Sequence, residues 1–215
     1  INTLNYIKSL NIVDNSKVKL LYDPIISIKE INEKKKKKIE FEDYYLSVGR
    51  LTKQKNFLFL CEGFKKIVET NKNLKLIIIG DGEDKFKLQS FIRKNKLEEN
   101  IILAGYKENI FPYFKKAKAF ILPSLWEDPG FVLIEAGLSN CSIISSDCPN
   151  GPMEIVGEKG GFIFSSNNKS SFLKIFDDFL KSSSIDKYKK KIIVKKKVKE
   201  FSVFRHYLKI KDILN

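Results

Sequence analysis

The clearest indication of the fold is Leu74-Lys75-Leu76-Ile77-Ile78-Ile79-Gly80-Asp81-Gly82, where a strand is predicted over 74–79 and ends at the first glycine. Its apolar run, 76–79, is typical of a strand that is covered on both faces, and the glycines and aspartate after it indicate a turn. A helix is predicted before it, over 56–69, because apolar residues recur there at helical spacing. A polar helix is predicted after it, over 83–95. A strand set between two helices predicts βαβ units and a parallel sheet.

The same alternation continues along most of the chain. Further strands are predicted at 44–48, 100–104, 119–122, 142–145 and 161–164. Further helices are predicted at 109–116, 131–139, from Pro152, at 169–181, at 185–198 and at 203–214. The fold class is therefore α/β, a Rossmann-like doubly wound parallel sheet of about six strands. Such sheets bind ligands outside the carboxyl ends of their strands, so functional residues should directly follow strands.

The first 43 residues do not follow this alternation. A short helix is predicted over 2–10 and a strand over 18–22, whereas the lysine-rich segment 27–43 shows no period and is predicted to be a linker. The chain begins at Ile1 and shows no signal peptide, which indicates a fragment of a longer protein. No apolar run is long enough for a transmembrane helix.

Composition excludes several classes of function. The 43% hydrophobic content supports a packed core, and the net charge is +14. Two lysine runs, Lys34 to Lys38 and residues 187–199, hold thirteen of these charges, so the rest of the chain is nearly neutral. With only three arginines, no nucleic-acid partner is expected. With His206 as its single histidine the sequence offers no multi-histidine zinc site, and three cysteines without a CxxC motif predict reduced thiols in a cytosolic protein.

A basic loop follows the first predicted strand. Gly49 lets a ligand approach the backbone, Arg50 could grip phosphate oxygens, and Lys55 could add a point charge beside a helix N-terminus. These residues predict a diphosphate site, and a solvated basic turn is the alternative. Gly80 and Gly82 follow the next strand, but a dinucleotide fingerprint would need a third glycine at Lys85. A tight turn is therefore preferred there. A turn that lines the nucleotide cleft is compatible with this, and Gly80 and Gly82 are counted among the expected donor-binding residues on that basis.

The segment 123–136 carries the strongest signal for a functional site. Glu127 is predicted in the loop after a strand, and Glu135 follows eight positions later, in the first turns of a helix. The free amides of Gly130, Phe131 and Val132 would point toward an anion or sugar oxygens. The two carboxylates could act as acid and base or bind hydroxyl groups, and plain surface charges are the alternative. A carboxylate at a buried helix start should have a partner, so we expect one for Glu135.

The loop over 146–154 follows the next strand and is rich in turn residues. It is predicted to form a wall of the same cleft, or otherwise a plain connection from strand to helix. Cys148 has no base nearby in the sequence, so a thiol nucleophile is not expected.

These motifs together resemble the carboxyl-terminal domain of glycosyltransferase family 4, a group of GT-B enzymes. The resemblance covers about residues 18–215. It rests on the following motifs, in this order: Leu21-Tyr22-Asp23-Pro24, Ser47-Val48-Gly49-Arg50-Leu51 with Lys55, Ile79-Gly80-Asp81-Gly82, Leu103-Ala104-Gly105-Tyr106, Leu122-Pro123-Ser124, Glu127 with Glu135, and Phe201-Ser202.

The resemblance implies a domain organisation. Residues 1–43 would be the remnant of an N-terminal acceptor domain with the interdomain linker. Residues 44–182 would be the donor-binding domain, and residues 183–215 would be C-terminal helices, the last crossing back toward the N-terminal domain. The chain would then be the C-terminal half of a GT-B enzyme, which binds weakly and transfers little by itself.

The resemblance also implies the roles of individual residues. The donor would be a UDP- or GDP-linked sugar, with Arg50 and Lys55 on its diphosphate and Glu135 on the ribose. Glu127 would contact the transferred sugar together with the following amides, and Tyr106 would border the base. Arg50, Lys55 and Glu127 would be catalytic, anomeric configuration would be retained, and no metal or other cofactor would be needed. The acceptor, a glycan or a lipid-linked molecule, would bind through the missing N-terminal domain.

One position departs from the family pattern, which usually has an aromatic residue two places after the first glutamate. Pro129 stands there, and Phe131 comes after the glycine, so the donor sugar is not predicted.

Two other classes of function compete with a transferase. A non-catalytic nucleotide-sugar-binding or membrane-surface module would use the lysines and apolar residues of 187–199 on an anionic bilayer, and a lysine-rich solvated helix is the simpler interpretation. The expected location is cytoplasmic, with possible peripheral contact at the inner face of the membrane. A nucleotide-sugar epimerase or dehydrogenase would need the dinucleotide fingerprint that is missing.

Overall fold

A computed structural model describes residues 2–25 and 27–214 of the chain. Its centre is a six-stranded parallel sheet with the strand order β3-β2-β1-β4-β5-β6. The strands are β1 (Tyr44–Val48), β2 (Lys75–Ile79), β3 (Ile101–Gly105), β4 (Ala119–Leu122), β5 (Ile143–Ser146) and β6 (Phe162–Phe164). The predicted doubly wound α/β fold is confirmed, because the order reverses at β1 and helices cover both faces.

Eleven helices are described. They are α1 (Asn2–Ser9), α2 (Ile28–Lys34), α3 (Phe57–Thr70), α4 (Lys85–Lys94), α5 (Phe111–Lys116), α6 (Phe131–Leu138), α7 (Pro152–Ile155), α8 (Gly157–Gly160), α9 (Lys169–Lys181), α10 (Ser184–Val198) and α11 (Val203–Leu214). No described helix is long and apolar enough to cross a bilayer.

The core lies in two layers, one on each face of the sheet. Helices α3, α4 and α9 cover one face, with a group of phenylalanines at its centre. Helices α5, α6 and α10 cover the other face. Close helix packing depends on small residues: a Cβ added at Gly63 of α3 would lie 2.6 Å from the ring of Phe172, and one at Gly137 of α6 would lie 2.6 Å from Val194.

One expectation for the first part of the chain is wrong, and the segment predicted to be a linker holds a helix that its sequence does not indicate. Residues 18–22 form no strand; instead Tyr22 stacks on Phe201, with ring centroids 4.3 Å apart. The predicted linker contains helix α2, because Ile31 has an apolar surface to cover and is only 6% exposed. The Lys35 ammonium directly after α2 donates to the carbonyl oxygen of Leu138 at 2.7 Å, so part of the first lysine run caps the C-terminus of α6.

The C-terminal helices differ in how they pack. In α10, Val194 and Val198 are fully buried in the core, so the core extends past residue 182, the predicted end of the central domain. Helix α11 has no buried residue, and its large exposed side chains are Val203, Phe204, Tyr207, Ile213 and Leu214.

Candidate functional site

A cavity of about 280 Å³ opens at the carboxyl ends of β1 and β4, next to the point where the strand order reverses. The loops after these two strands and the first turns of α6 enclose it. Seven of the predicted site residues meet there. The lining consists of Val48, Gly49, Lys55, Glu127, Asp128, Gly130, Phe131, Val132 and Glu135.

Gly80 and Gly82 lie behind this cavity and do not line it. A Cβ added at Gly80 would stand 1.8 Å from the carbonyl oxygen of Gly49, and one added at Gly82 would stand 2.6 Å from that of Leu51. The amide of Leu51 also donates to the carbonyl oxygen of Asp81 at 2.9 Å. These glycines therefore allow the loop after β2 to press against the loop that carries Gly49, which agrees with the preferred interpretation as a tight turn.

Lys55 and Glu127 form an ion pair at the floor of the cavity. The Lys55 Nζ lies 2.7 Å from Glu127 Oε1 and 2.8 Å from Oε2, and the two side chains are only 14% and 4% exposed. The buried Ser124 hydroxyl donates to Oε1 at 2.5 Å. Because both charges are withdrawn from water, each needs the other and its hydrogen bonds to remain in place.

The loop that carries Glu127 is held from two sides. The amide of Leu125 donates to the Gln54 carbonyl oxygen at 2.8 Å, and the Glu127 amide donates to the Pro149 carbonyl oxygen at 3.0 Å. A Cβ added at Gly151 would stand 2.4 Å from the carbonyl oxygen of Pro129, so the neighbouring loop approaches closely. These contacts fix the carboxylate relative to the loop after β1 and the loop after β5.

Helix α6 begins directly over the cavity. Gly130 caps it with φ +83°, a left-handed conformation that favours glycine, and as a glycine it offers no side-chain acceptor to the first amides. The amides of Phe131 and Val132 have no carbonyl partner within the helix, since the first amides of any α-helix lack one. They supply donors and the positive end of the helix dipole to the cavity.

Glu135 lies one turn into α6 and lines the same cavity. Burial raises the pKa of its carboxyl group to about 7 from an ordinary 4.5, and the more distant Lys34 ammonium opposes this only partly. The expected partner is not found: within residues 2–25 and 27–214, no group donates a hydrogen bond to this carboxylate or pairs with it. Glu135 is therefore a half-buried acceptor that a ligand could satisfy.

Besides Gly80 and Gly82, two more predicted residues lie outside the cavity. Arg50 follows Gly49 but is exposed to solvent and is not among the lining residues. Tyr106 follows β3 and is 73% exposed. Ser124 and Asp128 were not predicted as site residues, although both stand in the segment 123–136. The position of Ser124, at the end of a strand and three places before Glu127, was the feature of the sequence that could have indicated its contact with that glutamate.

A second cavity, of about 940 Å³, lies beside the first. Residues 147–151 and 153–155 line one side, as predicted for a cleft wall, and residues 18–23 line another. Asp128, Pro129 and Phe131 belong to its lining, and Asp128 and Phe131 also border the smaller cavity. Burial raises the pKa of the Cys148 thiol to about 11, so it is not activated as a nucleophile.

The second lysine run forms the outer side of α10. Its apolar residues Val194 and Val198 face the core, whereas Ile193 is 42% exposed. None of the eight lysines in 187–199 forms an ion pair with another described residue. The core thus uses most of the apolar half of the proposed membrane-binding surface. Three of the lysines also have contacts of their own: Lys190 donates to the Gly161 carbonyl oxygen, Lys197 donates to the Tyr22 hydroxyl oxygen, and Lys187 lies over the Phe179 ring. No group of three acidic, histidine or cysteine side chains suited to a metal ion occurs in the described part of the chain.

Comparison with known families identifies the class of protein that this fold and cavity define. The family model described as "Glycosyl transferases group 1" matches residues 28–198. The match spans most of the chain, and the chain belongs to the group 1 glycosyltransferases.

Individual relatives agree with this assignment. The chain is 30% identical over 182 residues to an N-acetylgalactosaminyltransferase of Campylobacter jejuni named for a diphospho-undecaprenol acceptor, with 83% of this chain and 49% of that protein aligned. It is 45% identical over 112 residues to an uncharacterised glycosyltransferase of Methanocaldococcus jannaschii, with 52% and 28% aligned. The chain thus spans half or less of these relatives.

Solved structures support the fold. The structure of Anabaena HepE in complex with UDP and glucose matches this chain with a TM-score of 0.76 at 15% sequence identity. The match covers 99% of this chain and 60% of that chain. The similar structures are GT-B glycosyltransferases, so the Rossmann-like domain described above is the fold found in that class.

Proposed function

We propose that this chain is the donor-binding half of a retaining glycosyltransferase of family 4 and that it binds a UDP- or GDP-linked sugar in the 280 Å³ cavity. One observation carries the proposal. A largely buried ammonium-carboxylate pair, Lys55 with Glu127, shares a single cavity with the half-buried carboxylate of Glu135, which has no partner among the described residues. A ligand with a diphosphate and several hydroxyl groups would complement this arrangement.

In this proposal each group has a chemical task. Lys55, with the exposed Arg50 from the same loop, attracts the diphosphate and stabilises the charge that develops as it leaves, so no metal is required. Glu135 accepts hydrogen bonds from the ribose hydroxyls. Glu127 and the first amides of α6 contact the transferred sugar. Tyr106, beyond the cavity, borders the base.

The acceptor is proposed to be a glycan or a lipid-linked molecule. Support comes from the Campylobacter relative, whose name specifies a diphospho-undecaprenol acceptor. The large cavity beside the donor cavity gives an acceptor an approach to the sugar. An N-terminal acceptor domain would complete the cleft, so residues 1–215 alone are expected to bind donor weakly and to transfer little, at the inner face of the membrane.

Calorimetry with UDP- and GDP-linked sugars tests the proposal. At least one donor should bind, and Glu135→Ala and Arg50→Ala should each weaken binding by about tenfold or more, because each removes a polar contact or charge from the ligand. Arg93→Ala is the matched control, since this exposed arginine lies on α4 and outside the cavity lining. Absence of binding by every donor, or binding unchanged in both variants, contradicts the proposal.

A membrane-surface role is the second candidate, and it is favoured by the lysines of 187–199, none of which forms an ion pair with another described residue. Sedimentation with vesicles containing anionic lipid should show binding that is lost between low and high salt. Equal sedimentation with neutral vesicles would contradict this role.

A further inference from the structure

Ser124 is the third member of the buried group that contains Lys55 and Glu127. The residue is fully buried, and its hydroxyl group donates to Glu127 Oε1. Its carbonyl oxygen accepts a hydrogen bond from the Ser146 hydroxyl at 2.8 Å, which ties the loop after β4 to the end of β5. The Ser124 hydroxyl is therefore held in place by its own backbone, at a fixed position beneath the carboxylate.

The distribution of hydrogen bonds over Glu127 is unequal. Lys55 supplies a donor to each carboxylate oxygen, and Ser124 supplies the remaining donor, to Oε1. A diphosphate in the cavity would attract the Lys55 ammonium, because Lys55 is the one positively charged residue among those described as lining the cavity. Any displacement of Lys55 toward the ligand would leave Glu127, at 3% exposure, dependent on the Ser124 hydroxyl.

We infer that Ser124 is a positioning residue that holds Glu127 in place while Lys55 is shared with a diphosphate. This inference rests on the proposed donor site and adds a residue to it. Ser124 does not line the cavity and acts through Glu127. Its hydroxyl contributes little to the position of Glu127 as long as Lys55 donates to both carboxylate oxygens. It contributes most when a diphosphate attracts Lys55 away from that carboxylate.

The test compares a nucleoside diphosphate with its monophosphate by calorimetry, using UDP with UMP and GDP with GMP on the full 215-residue chain. In Ser124→Ala, affinity for the diphosphate should fall about tenfold, as expected for one lost hydrogen bond to a charged group, and affinity for the monophosphate should fall about twofold or less. A purely structural role would weaken both ligands equally.

Ser47→Ala is the matched control. Ser47 is also fully buried, and its hydroxyl donates to the backbone carbonyl of Ile121 at 2.6 Å, so the variant loses a comparable hydrogen bond without touching Glu127. Thermal unfolding of both variants shows that they fold. Equal loss for diphosphate and monophosphate in Ser124→Ala, or the same selective loss in Ser47→Ala, overturns the inference. A wild-type chain that binds neither diphosphate overturns the proposed function and this inference together.

Discussion

Replacing Glu135 by glutamine should change how the stability of the chain depends on pH. The carboxyl group has a pKa of about 7 in the folded chain against an ordinary value of 4.5, because burial disfavours its charged form. Between these two values the folded chain holds a proton that the unfolded chain has released. The free energy of unfolding contributed by this group is therefore greatest below pH 4.5 and is lost as pH rises through 7.

The size of the effect follows from the same two values. Each pKa unit corresponds to about 1.4 kcal/mol, so the wild-type chain should lose about 3 kcal/mol from this source between pH 4.5 and pH 8. Glutamine has nearly the same shape and no charge, so Glu135→Gln should not show this loss. The variant should gain stability relative to the wild type as pH rises.

Urea unfolding of both proteins at several pH values from 5 to 8 measures this difference. The control is Glu98→Gln, which makes the same chemical change at an exposed carboxylate after α4 and should follow the wild-type profile. Parallel profiles for wild type and Glu135→Gln would show that the buried carboxyl group does not change its charge in this range, and the reasoning would fail.

Three further predictions concern the folded chain. Lys55→Met should lower the free energy of unfolding by about 3 kcal/mol, because it leaves the Glu127 carboxylate buried and unpaired, and adding Glu127→Gln should recover most of the loss in urea titrations. Gly80→Ala should cost about 3 kcal/mol by thermal unfolding, since its Cβ meets the carbonyl oxygen of Gly49, whereas Gly105→Ala, with positive φ but open space, should cost only about 1 kcal/mol. The three buried cysteines should resist iodoacetamide at pH 8 in the native chain and react in urea, as read by mass spectrometry, because burial raises the pKa of each thiol.

Strand positions could be predicted from the sequence because buried parallel strands are short apolar runs, and 44–48 and 119–122 coincide with β1 and β4. The segment 18–22 has the same local character but packs against Phe201, a contact across almost the whole chain that no local pattern encodes. Helix α2 was missed because Ile31, its buried side chain among those described, stands in a polar, lysine-rich segment that shows no apolar period.

In the candidate site, too, some residues could be predicted from the sequence, whereas the contacts between them could not. Glu127 and Glu135 stand out through their spacing, and Lys55 through its place after a strand. The contact between Lys55 and Glu127 joins residues 72 positions apart, and its existence depends on β1 and β4 being neighbours in the sheet. The exclusion of Arg50 and Tyr106 from the cavity depends on side-chain directions, which spacing does not determine.

Helix α6 is supported from behind by α10, where Val194 and Val198 press against Gly137. The helix whose first turn faces the cavity thus rests on a segment about sixty residues further along the chain. Opening of α10 would remove that support, so ligand occupancy and the closed state of α10 are linked thermodynamically. A ligand bound at one end of α6 should slow amide hydrogen exchange in α10, and any shortened version of the chain that keeps a working cavity must extend to residue 198.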